Sequence, residues 1–420
     1  MKNKVFKFGG ASIKDADSIR NVGEIVKKNY SSDLILVVSA LGKTTNALEE
    51  IVNAYYFKKE NVETLFQILK EKHFTLLKNL FPENHDVFDE VNNCFVEIDW
   101  ILEDEPLEAF DYIYDQIVSI GEMASTRIVT AYLNHIGIKT KWIDARDLIR
   151  TDNTFREGKV DWEKSEKMIQ HKFSTRDAGT IYLTQGFLGG TSENFTTTLG
   201  REGSDYTAAI LAHCLDTESV TIWKDVDGVL NADPRYFSDV RKIDELSWYE
   251  VIEMAYYGAT VIHPKTIKPL ENKNIPLYVK SFLKPEQAGT KIFSGANTTN
   301  LPPLLVMKPE QTLLSISPKD FSFIAEDNLS FIFNLFSEYG IKVNLMQNAA
   351  ISFSTSIDFN SSKVENCIQH LAEKFKVLRN DNLQLLTVRH YTDEVINKLT
   401  AGKTILLEQK SRHTIQLVVR

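Results

Sequence analysis

From Val5 to about Ser281, short apolar runs alternate with stretches of helical periodicity. Six runs read as strands: Val5–Phe8, Leu34–Ser39, Lys141–Ile143, Thr180–Thr184, Val220–Trp223 and Pro276–Lys280. They are almost continuously apolar, the pattern of strands covered on both faces rather than one. Strands spaced by helices in this way predict an α/β domain, a mostly parallel sheet sandwiched by helices. Between Asn46 and Leu133 the periodicity turns wholly helical, interrupted chiefly at Pro82 and Pro106. This predicts a helical insertion over about 46–133 that covers the sheet, with its charges on solvated faces. Residues 284–303 collect Pro, Gly, Ser, Thr and Asn and read as a linker that closes a domain of residues 1–283.

A different rhythm occupies 304–420. Strand (Thr312–Ser317), helix (Asp327–Tyr339), strand (Lys342–Gln347), strand (Ile351–Ile357), helix (Ser361–Phe375) and strand (Leu383–Arg389) follow in turn. That order is a ferredoxin-like α+β unit. A shorter echo runs to the end, with Leu383–His390 shared, a helix near Thr392–Leu399 and strands Thr404–Gln409 and Thr414–Val419. The tail therefore reads as two small modules in tandem, the second shortened, of the kind that senses a ligand or joins subunits.

Composition narrows the function. The 420 residues carry a net charge of −9, which argues against a general nucleic-acid or anionic-membrane partner, since those need a basic face. An anionic ligand would need a local basic island. Cys94, Cys214 and Cys367 lie far apart, so neither a disulfide framework nor a metal site is indicated. The chain enters its first strand within a few residues with no apolar leader, and a cytoplasmic protein is expected.

The candidate chemistry gathers at strand ends. Gly200-Arg201-Glu202-Gly203-Ser204-Asp205 places a cation, two glycines and an acid at the start of a helix, where unpaired N–H groups and the helix dipole attract anions. The first strand ends in Lys7-Phe8-Gly9-Gly10, a lysine with a glycine pair in the turn, which suits a phosphate. The Gly-x-Gly-x-x-Gly fingerprint is absent, and Gly42-Lys43-Thr44 lacks the leading glycine of a P-loop because position 37 is Val. Ser39–Asn46, Thr184–Phe187 and Trp223–Gly228 follow three more strands. In open α/β sheets that edge is where ligands bind. Each residue also has a plainer reading: Glu122 as a helix first-turn carboxylate facing water, Asp205 as a balance for a helix dipole, Arg235 as half of a surface pair.

Together these segments resemble the aspartate kinases of the amino acid kinase superfamily. The motifs are KFGGAS (Lys7–Ser12), SALGKTTN (Ser39–Asn46), Gly121-Glu122, TQGF (Thr184–Phe187), LGREGSDYTA (Leu199–Ala208), WKDVDGVLNADPR (Trp223–Arg235) and GATVIHP (Gly258–Pro264), in family order. The tail resembles that family's paired ACT modules. The resemblance implies the amino acid kinase fold and transfer of the ATP γ-phosphate to the β-carboxylate of L-aspartate, in lysine, threonine and methionine biosynthesis. It implies Lys7 and Asp205 as the catalytic pair. It implies Ser39, Thr45, Glu122, Arg201 and Ser204 against the substrate, Glu122 taking the α-ammonium and Arg201 the α-carboxylate. Lys7, Gly9, Gly10, Lys224, Asp225, Arg235 and Lys265 would contact the nucleotide, and Mg2+ would ride mainly on ATP phosphates. His263, before Pro264, is expected in a turn with no chemical role.

The chain departs from the family pattern in places. Thr260 stands where many relatives carry a phosphate-facing lysine, so Lys224 or Lys265 is expected to compensate. Leu230 replaces a tyrosine near the nucleotide, and Ala11 replaces a threonine. In the first module Asn344 stands where an aspartate commonly meets the amino group of a lysine effector, so lysine affinity is expected to fall or effector choice to change. Association into a homodimer through the modules is expected. The alternatives are another amino acid kinase, acting on glutamate or acetylglutamate, and a catalytically impaired amino-acid-binding regulator.

Overall fold

The computed structural model describes residues 2–30, 33–259, 262–297, 301–320, 322–359 and 361–420. The chain divides into two units, the first made of Met1–Val229, Lys242–Ile252 and Val261–Asn297, the second of Leu230–Arg241, Glu253–Thr260 and Thr298–Arg420. The boundary is therefore not a single point near residue 283. Two short segments upstream of it group with the tail.

In the first unit the order is β1 (Lys4–Phe8), α1 (Ala16–Lys28), β2 (Leu34–Val38), then five cover helices, α2 (Thr44–Tyr56), α3 (Val62–Leu80), α4 (Val87–Glu103), α5 (Phe110–Val118) and α6 (Ile120–His135). β3 (Thr140–Ile143), α7 (Trp162–Ser174), β4 (Ile181–Gln185), the small hairpin β5 (Leu188–Gly190) and β6 (Thr196–Thr198), α8 (Gly203–Leu215) and β7 (Ser219–Lys224) follow. The unit closes with β8 (Glu245–Leu246), the start of α9 (Trp248–Tyr257), α10 (Pro264–Asn272), β9 (Leu277–Ser281) and β10 (Thr290–Ile292).

Eight strands pair in the order β3-β4-β2-β1-β7-β9-β10-β8. All neighbours are parallel except β9 with β10. The buried Leu-Ile-Leu-Val-Val of β2 shows why the central strands are apolar throughout: both faces are covered. Residues 284–303, expected as a linker, contribute β10 to this sheet. Three residues are too few for a strand pattern to register in sequence. Cover helices and sheet share one core that includes Phe8, Leu36, Phe66, Phe95 and Ile128. Pro82 and Pro106 do fall between helices, as the helix-breaking geometry of proline requires. At the head of α1 the Asp15 carboxylate accepts the Ser18 N–H at 2.8 Å, an N-cap.

In the second unit, β11 (Leu304–Pro318), α11 (Glu326–Glu338), β12 (Val343–Asn348), β13 (Phe353–Asp358), α12 (Ser361–Lys374), β14 (Phe375–Arg389), α13 (Asp393–Thr400), β15 (Ile405–Lys410) and β16 (Thr414–Val419) build one antiparallel six-stranded sheet, β12-β13-β11-β14-β16-β15. Here β11 and β14 are longer than their sequence patterns suggest. Residues 304–308 pair with Leu385–Arg389, while Gln311–Ile316 pair with β13, and a register shift separates the halves. The second ferredoxin-like module thus takes its first strand from ahead of the first module. It still has one helix, α13, where a whole copy has two.

Candidate functional site

The carboxyl ends of β1, β2, β4 and β7 meet where the strand order reverses around β1, and the loops that follow enclose a cavity of about 620 Å³ in the first unit. Lys7, Gly10, Ser39, Thr45, Glu122, Arg201, Ser204, Asp205 and Lys224 all line it. The Lys7 ammonium lies 2.6 Å from Asp205 Oδ1, with side-chain exposures of 11% and 3%. The pair therefore holds its geometry largely shielded from water. Lys224 Nζ stands 3.9 Å from the other Asp205 oxygen. One carboxylate thus faces two ammonium groups from neighbouring strands.

Glycines admit this closeness. A β-carbon on Gly10 would stand 2.6 Å from the Gly42 carbonyl and 2.8 Å from that of Ala40. One on Gly186 would stand 2.4 Å from the Ser204 β-carbon, so the TQGF turn needs glycine to let the start of α8 lie against β4. That start is less bare than the sequence suggests: the Gly203 N–H returns to the Gly200 carbonyl and the Asp205 N–H to that of Glu202. Glu202 itself adopts the left-handed conformation, φ 54°, and its carboxylate accepts the His263 N–H at 3.0 Å. His263 in turn caps α10 through Nδ1, which accepts the Lys265 N–H.

Glu122, in the first turn of α6, is buried. Its Oε1 accepts the Ala40 N–H at 3.3 Å, and Oε2 has no hydrogen-bond partner among the described residues. Burial pushes its carboxyl up to about 8, against the opposing pull of the Ala40 N–H and the Lys7 charge. A buried acceptor with one unsatisfied oxygen on a cavity wall is a place for a cation or a donor. Ser125, one turn on, donates to the Ser39 carbonyl at 2.6 Å and fixes α6 to the end of β2.

Other expected contacts lie elsewhere. Gly9 is beside the cavity, where a β-carbon would be 3.4 Å from Lys7 Nζ, but it is not among the lining residues. Asp225 is exposed and does not line it. Arg235 falls in the second unit, where its guanidinium grips Asp233 at 2.5 Å on the surface. Lys265 Nζ is 4.0 Å from Glu157 and lines a second cavity, of about 590 Å³, with Trp162, Tyr206 and His213. Thr260 lies outside the described residues. The wall also contains Tyr114, Arg156, Glu157, Phe187 and Thr198. Of these, Arg156, Glu157 and Tyr114 had no strand-end signal, because they arrive from the helical cover and from the loop after β3. Among the described residues no group of three His, Cys, Asp or Glu side chains is placed to hold a metal ion, and no helix is long and apolar enough to cross a membrane.

The amino acid kinase family profile matches residues 2–281. Lysine-sensitive aspartokinase 3 of Escherichia coli is 32% identical over 365 residues, 85% of this chain and 79% of that protein. Aspartokinase 1, chloroplastic, of Arabidopsis thaliana is 30% identical over 400 residues, 90% of this chain and 68% of that protein. The structure of E. coli aspartokinase III in complex with aspartate and ADP superposes with a TM-score of 0.83 at 26% identity, covering 100% of this chain and 96% of that one. The parallel sheet with its helical cover and the antiparallel ferredoxin-like sheet of the tail are thus the amino acid kinase and ACT-type folds, and the chain belongs to the amino acid kinase family, among its aspartokinases.

Proposed function

We propose that the protein phosphorylates the β-carboxylate of L-aspartate with ATP, giving 4-phospho-L-aspartate and ADP. The observation that carries this is one cavity holding the shielded Lys7–Asp205 pair, the half-satisfied buried Glu122 and Arg201. A free amino acid with a side-chain carboxylate needs one acid for its ammonium and cations for its carboxylates. One β-carboxylate oxygen attacks the γ-phosphorus, the bond to the β,γ-bridging oxygen breaks, and ADP leaves. The nucleophile is already ionised, so no base is needed. Alignment and charge neutralisation carry the rate.

In this reading Lys7 spans the transferring phosphoryl group, Asp205 holds Lys7, and the N–H groups at Gly9 and Gly10 and the Ser39 hydroxyl donate to phosphate oxygens. Glu122 Oε2 receives the α-ammonium and Arg201 forks onto the α-carboxylate, with Thr45 and Ser204 completing the substrate end. Lys224, which faces Asp205, is the better placed of the two lysines to supply the charge absent at Thr260. Lys265, Asp225 and Arg235 are assigned to the nucleotide on the resemblance alone. Among the described residues no cluster of carboxylates or histidines is placed to cage a cation, and Mg2+ is assigned to the nucleotide phosphates, where it would neutralise their charge. The free, buried cysteines fit a cytoplasmic setting.

For the tail we propose a homodimeric ACT region whose response to lysine is weak. The Asn344 amide is already engaged: Oδ1 accepts Lys308 Nζ at 2.7 Å, and Nδ2 donates to Gln311 at 2.9 Å and Asp358 at 2.7 Å. No inhibition by lysine at millimolar concentration is expected; half-inhibition below that range would overturn this part. The primary test is ADP release with Mg-ATP and L-aspartate, against L-glutamate. Aspartate-dependent turnover that Lys7→Ala lowers by about a hundredfold or more supports the reading. Equal turnover with glutamate sinks it.

A further inference from the structure

Three residues of the cavity wall hold the left-handed backbone that side chains rarely adopt: Arg156 (φ 64°), Phe187 (φ 73°) and Glu202 (φ 54°). Such conformations persist where the surroundings enforce them, and they gather at functional sites. For Arg156 the enforcing group is identifiable. Asp115, fully buried on α5, accepts the Arg156 N–H at 2.8 Å and the Thr198 N–H at 2.9 Å on Oδ2, and the Thr198 hydroxyl at 2.7 Å on Oδ1. A single carboxylate therefore ties the helical cover to two segments that both furnish cavity wall. The second of these leads straight into Gly200-Arg201, and a β-carbon on Gly200 would lie 3.3 Å from the Arg156 carbonyl.

The Arg156 side chain is held loosely by comparison. Its guanidinium lies 4.3 Å from the centre of the Tyr114 ring, and its contacts to Asp111 and Glu49, at 3.4 and 3.5 Å, are long for charged hydrogen bonds. A planar fork with five donors, stacked on an aromatic wall of an anion-binding cavity, is built to take a carboxylate. An arginine with no such duty would be replaced by glycine at little cost, because glycine meets φ 64° without strain.

We propose that Arg156 is a specificity-determining residue, a second guanidinium that with Arg201 recognises the carboxylates of the amino-acid substrate, and that Asp115 is the positioning residue that sets it in the cavity wall. The inference rests on the aspartate reading above and adds to it the loop after β3.

The test is steady-state ADP release with aspartate and ATP varied separately, for the wild type, Arg156→Gly, Arg156→Lys, Asp115→Ala and the double variant Asp115→Ala/Arg156→Gly. Arg156→Gly raises the KM for aspartate about tenfold or more, leaves the KM for ATP within about twofold, and keeps or raises Tm because the backbone is relieved. Arg156→Lys recovers part of the loss. Asp115→Ala raises the same KM, and the double variant loses less than the product of the two single losses, since part of the Asp115 effect runs through the Arg156 guanidinium and the rest through the Thr198 segment that leads to Arg201. If Asp115→Ala does not fold, Asp115→Asn, which keeps one acceptor oxygen, carries that comparison. An Arg156→Gly enzyme with unchanged KM for aspartate, or with both KM values raised equally, overturns the role of Arg156. Additive losses in the double variant overturn that of Asp115. A wild type without aspartate-dependent turnover overturns the aspartate reading beneath both.

Discussion

At the scale of the residue, Glu122 is where local environment and chemistry are most tightly joined. Burial lifts its carboxyl to about 8, so near neutrality the unliganded site holds mostly the protonated form, which cannot pair with an ammonium. Aspartate binding at pH 6.5 should therefore release a proton. Calorimetry in phosphate and in imidazole, which take up protons at this pH with different heats, checks this, the apparent enthalpy differing with the buffer; identical enthalpies would contradict it. Glu122→Gln should remove the proton release and raise the KM for aspartate at least about tenfold, as expected for loss of a charged hydrogen-bond acceptor. Lys7 and Asp205 were legible in sequence because each sits at an element boundary beside glycine. The unsatisfied Oε2 of Glu122 was not, since satisfaction is a property of neighbours from β2 and α6 together.

At the scale of the element, contacts that decide behaviour pass between segments distant in sequence. Gly186→Ala would drive a β-carbon into Ser204 and push the start of α8, with Asp205, away from Lys7. Overpacking of this kind costs about 1–3 kcal/mol, and turnover should fall by more than that loss of stability explains; unchanged kinetics would show that α8 tolerates the shift. In the tail, Asn344→Asp would replace the N–H that Asp358 accepts by a second carboxylate. The substitution should lower Tm rather than create a lysine site, and lysine titration followed by calorimetry separates the outcomes. All six long strands of the first sheet are legible in the sequence, because buried strands announce themselves by apolar runs. β8 and β10 have two and three residues, and only the paired edge defines them.

At the scale of the whole molecule, two buried groups set opposite limits on stability. His73, on α3, is fully buried, its Nδ1–H donates to the Leu69 carbonyl, and burial holds its ring down at about 4. A folded value below the unfolded one of about 6.5 means stability is full above pH 6.5 and lost as pH falls toward 4, in total about 3 kcal/mol. Glu122 has the opposite sign. Its folded value exceeds the unfolded one of about 4.5, so its contribution is present at low pH and is lost as pH rises toward 8. Urea midpoints of the unliganded protein should fall between pH 6.5 and 8, where His73 is neutral in both states and Glu122 is losing its proton. Saturating aspartate should lift the alkaline side most, because its ammonium stabilises the charged form of Glu122. His73→Leu should flatten the acid side alone. A midpoint that rises steadily from pH 6 to 8 without ligand would contradict the burial of an ionising Glu122.

The sequence by itself determined the two fold classes, the strand ends that carry Lys7, Ser39, Arg201 and Asp205, and the aspartokinase resemblance. Each depends on a local pattern: apolar runs, glycine turns, or contiguous motif residues. Tertiary structure alone decided which cations meet one carboxylate, that Arg156 and Tyr114 join the wall while Lys265 lines another cavity, and that residues 304–308 begin the second tail module from ahead of the first. Those facts are distances between segments up to two hundred residues apart, and they are set by strand order and by the burial that strand order creates.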